Sequence, residues 1–92
     1  MSKNIVLVTG GFDPLHSGHI AYFKAAKELG DKLIVGLNSD AWLERKKGRA
    51  FMPISERMLI VGSLNIVDRV IEFDDSDGSA RKAIHRVREI LP

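Results

Sequence analysis

His16 and His19 are the residues of this chain best suited to chemistry. They close a ten-residue run, GGFDPLHSGH, that occupies positions 10–19. Glycines let backbone N–H groups approach an anion closely, and a helix that begins near Ser17 would direct its free N–H groups and positive dipole end at the same point. A protonated imidazole opposes the dipole in a first turn, so helix stability alone does not favour histidine there. The run therefore predicts an anion site, and phosphate fits it.

The spacing of the two histidines leaves three interpretations open. Both rings would lie on one face of the first helical turn. A zinc site is under-ligated, because Asp13 adds only a third ligand and structural zinc takes four. A plain strand-to-helix turn explains the glycines but not the paired histidines. We prefer the third interpretation, in which the imidazoles donate hydrogen bonds to charge that develops on a phosphorus centre and its leaving oxygen, an effect worth a few kcal/mol per donor.

The segments around this run alternate between strand and helix. The apolar run Ile5–Val8 predicts a buried strand, and residues 17–29, which stop before Gly30, predict a helix. Further along, the sequence predicts a strand over 32–37, a short helix over 40–46, an apolar core helix from an N-cap at Ser55 through Leu64, a strand over 69–73 and a helix over 79–91.

The last of these helices has the clearest 3.6-residue period. Its apolar residues are expected to face a sheet: Ala80, Ala83, Ile84, Val87, Ile90 and Leu91. Strands that alternate with helices predict an α/β, Rossmann-like fold with a parallel sheet and a ligand at the carboxyl ends of its strands. The glycine run follows such an end.

Composition narrows the class of protein. The chain has 92 residues, enough for one domain over 1–92, and its 45% hydrophobic content predicts a packed core. It has no cysteine, which excludes thiol chemistry, and no targeting or membrane-spanning segment, so we expect a cytoplasmic protein. With 14 basic and 12 acidic side chains, the net charge of +2 is too small to favour nucleic acid, which ranks last among the partners considered.

Several segments resemble a known family. The run from Gly10 to His19 resembles the H-x-G-H signature of the nucleotidylyltransferase superfamily. The segment GDKLIVGLNSD at 30–40, Lys47-Gly48 and Glu56-Arg57-Met58 resemble its cytidylyltransferase-like branch, notably glycerol-3-phosphate cytidylyltransferases and the adenylyltransferase domain of heptose-phosphate enzymes. The resemblance covers nearly the whole chain. It implies transfer of a nucleoside monophosphate from CTP or ATP to a phosphorylated sugar or polyol, with release of pyrophosphate.

The resemblance also implies roles for individual residues. Catalysis is implied for His16, His19 and Lys47, with Lys46 as the alternative in register. Contacts to the nucleotide and its phosphates are implied for Thr9, Gly10, Gly11, Phe12, Lys46 and Arg57. From spacing alone, residues 45–49 are interpreted as a solvated cluster of charges. For Arg57, spacing alone fits an exposed surface charge as well as a phosphate contact.

Two acidic residues are predicted to contact substrate, Asp13 and Asp40. Asp13 would hold a basic side chain or assist the Mg²⁺ that accompanies the nucleoside triphosphate. Asp40 would cap its helix or orient substrate. Trp42 and Phe51 bracket the basic loop, and packing is favoured over base stacking for both.

Two family motifs are missing from the sequence. Members of this branch continue with a Gly-Gly-Asp strand end and a Ser-Thr-Thr-x-x-Arg helix start, and neither occurs here. We therefore expect a sheet truncated to about three strands, with an uncovered first strand that is completed by a missing C-terminal segment or by the second copy in a homodimer. The alternative function is a nucleotide-binding or assembly module without turnover.

Overall fold

The computed structural model describes residues 4–90. Three strands and four helices follow one another along the chain: β1 (Ile5–Gly10), α1 (Ser17–Glu28), β2 (Lys32–Leu37), α2 (Asp40–Lys47), α3 (Ile54–Gly62), β3 (Arg69–Glu72) and α4 (Arg81–Ile90). Each predicted element is present, with ends that differ by a few residues.

The strands form one parallel sheet in the order β1-β2-β3. The central strand, β2, is buried from Leu33 to Leu37, as its apolar sequence predicts. Its register aligns Gly10 with Leu37, so the carboxyl ends of β1 and β2 lie side by side. The predicted α/β, Rossmann-like fold with a three-stranded parallel sheet is confirmed.

Helices cover both faces of the sheet. On one face, Phe23 of α1 and Val61 of α3 pack with Leu33 and Val35 of β2. On the other, Val87 of α4 packs with Ile34 and Ile71. Neighbouring β2 residues thus enter opposite clusters, because successive side chains of a strand point to opposite faces.

Three details of the predicted elements are wrong. Helix α3 follows Pro53, which makes no side-chain cap, so Ser55 lies inside the helix. That helix is also not a core helix throughout, since Leu59 is 67% exposed. Along the predicted apolar face, Ala83 and Val87 are buried, whereas Ile84 of α4 and Ala80, which precedes the helix, are exposed. The helix packs through Val87 on Ile34 and Ile71, so only part of that face is covered. Leu91 lies outside the described residues.

The strand β1 lies at one edge of the sheet within residues 4–90. Val6 and Val8 pack in the cluster on one face of the sheet, and Ile5 and Leu7 pack against the cluster on the other. Only Val8 is fully buried, so the predicted burial of the whole strand is wrong. The same described part of the chain contains no helix of the length and apolarity needed to cross a membrane.

Candidate functional site

The signature run lies at the carboxyl ends of β1 and β2. The backbone N–H of Asn38, just after β2, donates to the carbonyl oxygen of Gly10 at 2.9 Å and ties the two strand ends together. The run then leads into α1, which begins at Ser17. Parallel α/β sheets bind ligands at this end, so the topology puts the two histidines where ligand chemistry is expected.

The two histidines cap helix α1. The Gly18 N–H donates to Nδ1 of His16 at 3.0 Å, and the His16 N–H donates to Nδ1 of His19 at 3.1 Å. The rings lie face to face, with centroids 3.9 Å apart and planes tilted by 31°. A Cβ atom on Gly18 would lie 2.8 Å from Cε1 of His16, so glycine at this position makes room for the capping ring.

This capping arrangement assigns the tautomer of both rings. Because each Nδ1 accepts a backbone N–H, it carries no hydrogen, and a neutral imidazole then holds its hydrogen on Nε2. Neither Nε2 atom has a hydrogen-bond partner within residues 4–90. The expectation that these histidines would not serve helix stability is therefore wrong. As neutral acceptors they stabilise the N-terminus and leave two N–H donors free.

His19 is the more enclosed of the pair. Its ring packs edge-on against the buried Phe12 ring, with centroids 5.1 Å apart. Burial lowers the pKa of His19 below its usual value, and the neighbouring His16 adds to this effect. Both causes favour the neutral ring, which is the form that caps the helix.

We expect the stability of the protein to fall as the pH drops below about 6.5, the ordinary pKa of an unfolded histidine. In this range the unfolded chain takes up a proton at His19 that the folded chain resists. His19→Gln keeps an acceptor at a capping-box position but does not titrate. Denaturant titrations at about pH 7 and about pH 5 should show a smaller stability loss for His19→Gln than for the wild type. An equal loss in both would contradict the capping role of a neutral His19.

The two glycines before the histidines have a packing role. A Cβ atom on Gly10 would lie 2.8 Å from the Phe12 ring, and one on Gly11 would lie 2.7 Å from Leu43. Phe12 itself turns the chain with a φ of 52°, an uncommon conformation for a bulky residue. The space that a Cβ atom would take at either glycine is thus filled by another side chain, so the packing requires glycine at both positions. Contacts from the backbone of Thr9 to Phe12 to a nucleotide stay a prediction.

Asp13 joins the signature run to the basic loop. Its carboxylate, 1% exposed, accepts the N–H groups of Phe51 and Met52 and pairs with Nζ of Lys47 at 3.1 Å. Lys47 also donates to the carbonyl oxygen of Asp13 at 2.7 Å. Burial acts to raise the pKa of Asp13, but the hydrogen bonds from Phe51, Lys47 and Met52 outweigh it and lower that pKa. Of the two predicted roles for Asp13, the structure shows the one that holds a basic side chain.

Asp13→Asn should lower the free energy of unfolding by about 2–3 kcal/mol, because hydrogen bonds to a charged acceptor are worth about that much and the new amide has donors facing donors. Chemical denaturation measures the difference. Asp74→Asn is the matched control, since Asp74 pairs with Lys82 on the surface and is 57% exposed; it should leave the unfolding midpoint unchanged. Equal effects of the two variants would show that the Asp13 carboxylate does not hold the loop.

Lys47 and Lys46 point to different neighbours. Lys47 contacts Asp13, whereas Nζ of Lys46 lies over the Trp42 ring, 5.4 Å from its centroid. The structure therefore brings Lys47, and not Lys46, to the signature run. Trp42 is partly buried, but Phe51 is 64% exposed, so the packing prediction is wrong for Phe51.

Arg57 is fully buried, at 0% exposed, and is not a surface charge. Its guanidinium donates to the carbonyl oxygens of Met52 at 3.0 Å, Gly11 at 3.0 Å and Asn38 at 2.7 Å. A fourth bond reaches the carboxylate of Asp40. The predicted phosphate contact is not available to a side chain enclosed in this way. Arg57 instead joins the segments after β1 and β2 to the start of α3.

Asp40 does not cap its helix, which corrects one of its two predicted roles. Ser39 is the N-cap, and its Oγ accepts the Trp42 N–H at 3.0 Å. Asp40 is the first residue of α2, and its carboxylate, 40% exposed, pairs with Arg57. A substrate contact of Asp40 stays a prediction.

Asp75 is a site residue that the sequence patterns did not indicate; it lies between the predicted strand over 69–73 and the predicted helix over 79–91. Asp75 is 3% exposed and accepts hydrogen bonds from the Asn38 amide at 3.0 Å, the Ser39 N–H at 2.8 Å and the Ser39 hydroxyl at 2.6 Å. Burial acts to raise the pKa of Asp75, but these bonds outweigh it and lower that pKa. The available signal was a carboxylate three residues after the end of β3. Asp75 ties the loop after β3 to the start of α2.

An open cleft of about 240 Å³ lies beside the signature run, lined by Asp13, Pro14, Lys47, Arg49 and Phe51. No three histidine or acidic side chains converge within residues 4–90 in a way that would hold a metal ion. Each oxygen of Asp13 accepts a backbone N–H, and a role of Asp13 in assisting Mg²⁺ stays a prediction.

Comparison with known proteins identifies the family of this chain. A family model described as cytidylyltransferase-like matches residues 7–89. The chain belongs to the cytidylyltransferase-like family. The predicted membership of this family is thereby confirmed, and with it the assignment to nucleotidyltransferases.

Individual relatives agree with the family. The bifunctional protein HldE of Citrobacter koseri is 45% identical over 75 residues, which cover 79% of this chain and 16% of HldE. HldE of Escherichia coli is 44% identical over 75 residues, with the same coverage. The chain thus spans about 16% of the length of these curated relatives. Among solved structures, the lipopolysaccharide core biosynthesis protein of Thermoplasma volcanium superposes with a TM-score of 0.82 at 32% identity, over 99% of this chain and 70% of that one.

Proposed function

We propose that this cytidylyltransferase-like chain transfers a nucleoside monophosphate from CTP or ATP to a phosphorylated sugar or polyol. A phosphate oxygen of the acceptor attacks the α-phosphorus of the nucleotide. The bond from that phosphorus to the bridging oxygen breaks, and its electron pair leaves with pyrophosphate. The product is a nucleoside diphosphate ester of the acceptor.

The observation that carries this proposal is the pair of histidines that cap α1. Their Nδ1 atoms are occupied by backbone N–H groups, so both rings present Nε2–H as a hydrogen-bond donor. Donors that are held in place before reaction stabilise developing negative charge without reorganisation, and each is worth about 3–4 kcal/mol in comparable sites. Charge develops on the α-phosphate and on the departing pyrophosphate, so two neutral donors suit this transfer.

Lys47 supplies the positive charge of the proposed site. It stands at the end of α2, and Asp13 fixes it beside the signature run. Phosphoryl transfer depends mainly on positioning and charge neutralisation, which one anchored lysine and two oriented imidazoles provide. Mg²⁺ enters with the nucleoside triphosphate, as part of the substrate.

The class of acceptor is supported by the relatives. The Thermoplasma volcanium protein is described as acting in lipopolysaccharide core biosynthesis, and such cores are built from sugars. We therefore propose a sugar phosphate ahead of a polyol phosphate. A cytoplasmic location suits nucleoside triphosphate as substrate, and the open edge of β1 offers a place for pairing with a second copy or with further chain.

A pyrophosphate-release assay tests the proposal. CTP and ATP are each supplied with glycerol 3-phosphate and with a panel of hexose and heptose phosphates, and the unphosphorylated compounds serve as controls. Release that requires both nucleotide and phosphorylated acceptor supports transfer. Saturable nucleotide binding with no release for any pair would instead favour a nucleotide-binding or assembly module. The observation in favour of this alternative is the three-stranded sheet, in which β1 has an open edge.

A further inference from the structure

The cleft beside the signature run contains a positive charge that has no role in the catalysis proposed above. Two cations line it, Lys47 and Arg49. Lys47 is paired with the carboxylate of Asp13, whose side chain is 1% exposed. Arg49, in contrast, makes no ion pair or hydrogen bond with any group in residues 4–90. The net charge of the cleft is therefore the guanidinium of Arg49.

The cleft also has an apolar wall. Phe51 is 64% exposed and lies two residues after Arg49 in the chain. The N–H groups of Phe51 and Met52 are held by Asp13, so the backbone of this loop is fixed while the Phe51 ring lines the open cleft. Leaving a large aromatic side chain in water forgoes roughly 1.5–3 kcal/mol of burial, which a ligand can recover.

The size of the cleft limits its ligand. At about 240 Å³ it is smaller than the range of roughly 300–1,000 Å³ that is usual for sites of drug-sized ligands. It suits a small phosphate ester better than a whole nucleoside triphosphate. A planar guanidinium binds phosphate through two parallel N–H groups, and an aromatic ring beside it can cover a short carbon chain.

We propose that Arg49 and Phe51 form the acceptor subsite, in which Arg49 binds the phosphate monoester of the acceptor and Phe51 covers its carbon chain. The inference rests on the proposed transferase function. Lys47 lines the same cleft and is tied through Asp13 to the run that carries the histidines. The acceptor phosphate would then lie next to the one lysine that is also proposed to contact the triphosphate. Attack on the α-phosphorus requires the acceptor phosphate and the triphosphate to lie this close to each other.

Equilibrium binding tests the subsite without turnover. Glycerol 3-phosphate, inorganic phosphate, CTP and ATP are titrated separately into the wild type, Arg49→Ala, Phe51→Ala and the control Arg88→Ala. Arg88 is an exposed arginine like Arg49, but it lies on α4, outside the lining of the cleft. Arg49→Ala should weaken both small phosphates by roughly tenfold to a hundredfold and leave the better-binding nucleotide within about twofold. Phe51→Ala should weaken glycerol 3-phosphate but not inorganic phosphate, and Arg88→Ala should change neither.

Three results would overturn the subsite. One is absence of saturable small-phosphate binding by the wild type at millimolar concentration. Another is an Arg49→Ala variant that loses nucleotide affinity but keeps that for glycerol 3-phosphate. The third is equal weakening by Arg49→Ala and Arg88→Ala, which would indicate general attraction to positive charge. Failure of the transferase function looks different: small phosphates bind as expected, yet no nucleotide and acceptor pair releases pyrophosphate.

Discussion

Replacement of Arg57 by Met is expected to lower the free energy of unfolding by about 3–5 kcal/mol. The methionine fills much of the same space but makes none of the four hydrogen bonds. The carbonyl oxygens of Gly11, Asn38 and Met52 lose a donor, and the carboxylate of Asp40 loses its partner. Domains are stable by only about 5–15 kcal/mol, so this loss is a large share of the total.

Denaturant unfolding followed by circular dichroism measures this effect. Arg57→Lys keeps the charge but lacks the planar fork that reaches several oxygens, so it should also be destabilised. Arg86→Met is the matched surface control, because Arg86 is 48% exposed and pairs only with Glu89 on the same helix; it should behave as the wild type. If Arg57→Met unfolds at the same denaturant concentration as Arg86→Met, the guanidinium does not hold these segments together.

Removal of either free Nε2–H donor is expected to lower kcat about 10²- to 10³-fold. Substitution by alanine would also remove a helix cap and mix two effects. His16→Ser and His19→Gln avoid this problem, because serine is a favoured N-cap residue and glutamine is a favoured third residue of a capping box. Both variants keep a side-chain acceptor for the backbone and lose the imidazole donor.

The two functions of the histidines can then be measured separately. Each capping variant should unfold within about 1 kcal/mol of the wild type, while His16→Ala and His19→Ala lose about 1 kcal/mol more through the missing cap. In pyrophosphate release, kcat should fall in all four variants and nucleotide affinity should change little, since the donors act on charge that forms during reaction. Equal loss of kcat and of nucleotide affinity would indicate ground-state binding instead. Because serine and glutamine carry a polar hydrogen of their own, full turnover in all four variants, alanines included, is the result that would limit the histidines to capping.

Local patterns were sufficient to predict the elements and the fold. The apolar run of β2, the glycine after α1 and the strand-helix alternation are short-range signals. A parallel sheet follows from them because a helix between two strands returns the chain to the same end of the sheet. The family signature also lies within ten consecutive residues. Its place at the carboxyl end of β1 could therefore be read along the chain.

The roles of the charged side chains could not be read in this way. Arg57 and Asp75 are charged residues that the fold buries. The long-range partners of Arg57 lie 17 to 46 residues away in the chain. The residues that donate to the carboxylate of Asp75 lie 36 to 37 residues away. Sequence spacing carries no information on such contacts. The same holds for Asp13, which meets the loop at Phe51 and Met52.

The amino-acid order alone thus decides that this chain has a strand, a histidine-bearing turn and a helix, because those depend on neighbouring residues. Tertiary structure decides what the histidines and cations face. Packing of the imidazoles onto the start of α1 assigns their tautomer, and enclosure of Arg57 removes it from the predicted phosphate contacts. It also leaves Arg49 without a counter-ion within the described residues. Burial and long-range hydrogen bonds set the charge that a side chain can offer to a ligand, and both exist only once the chain has folded.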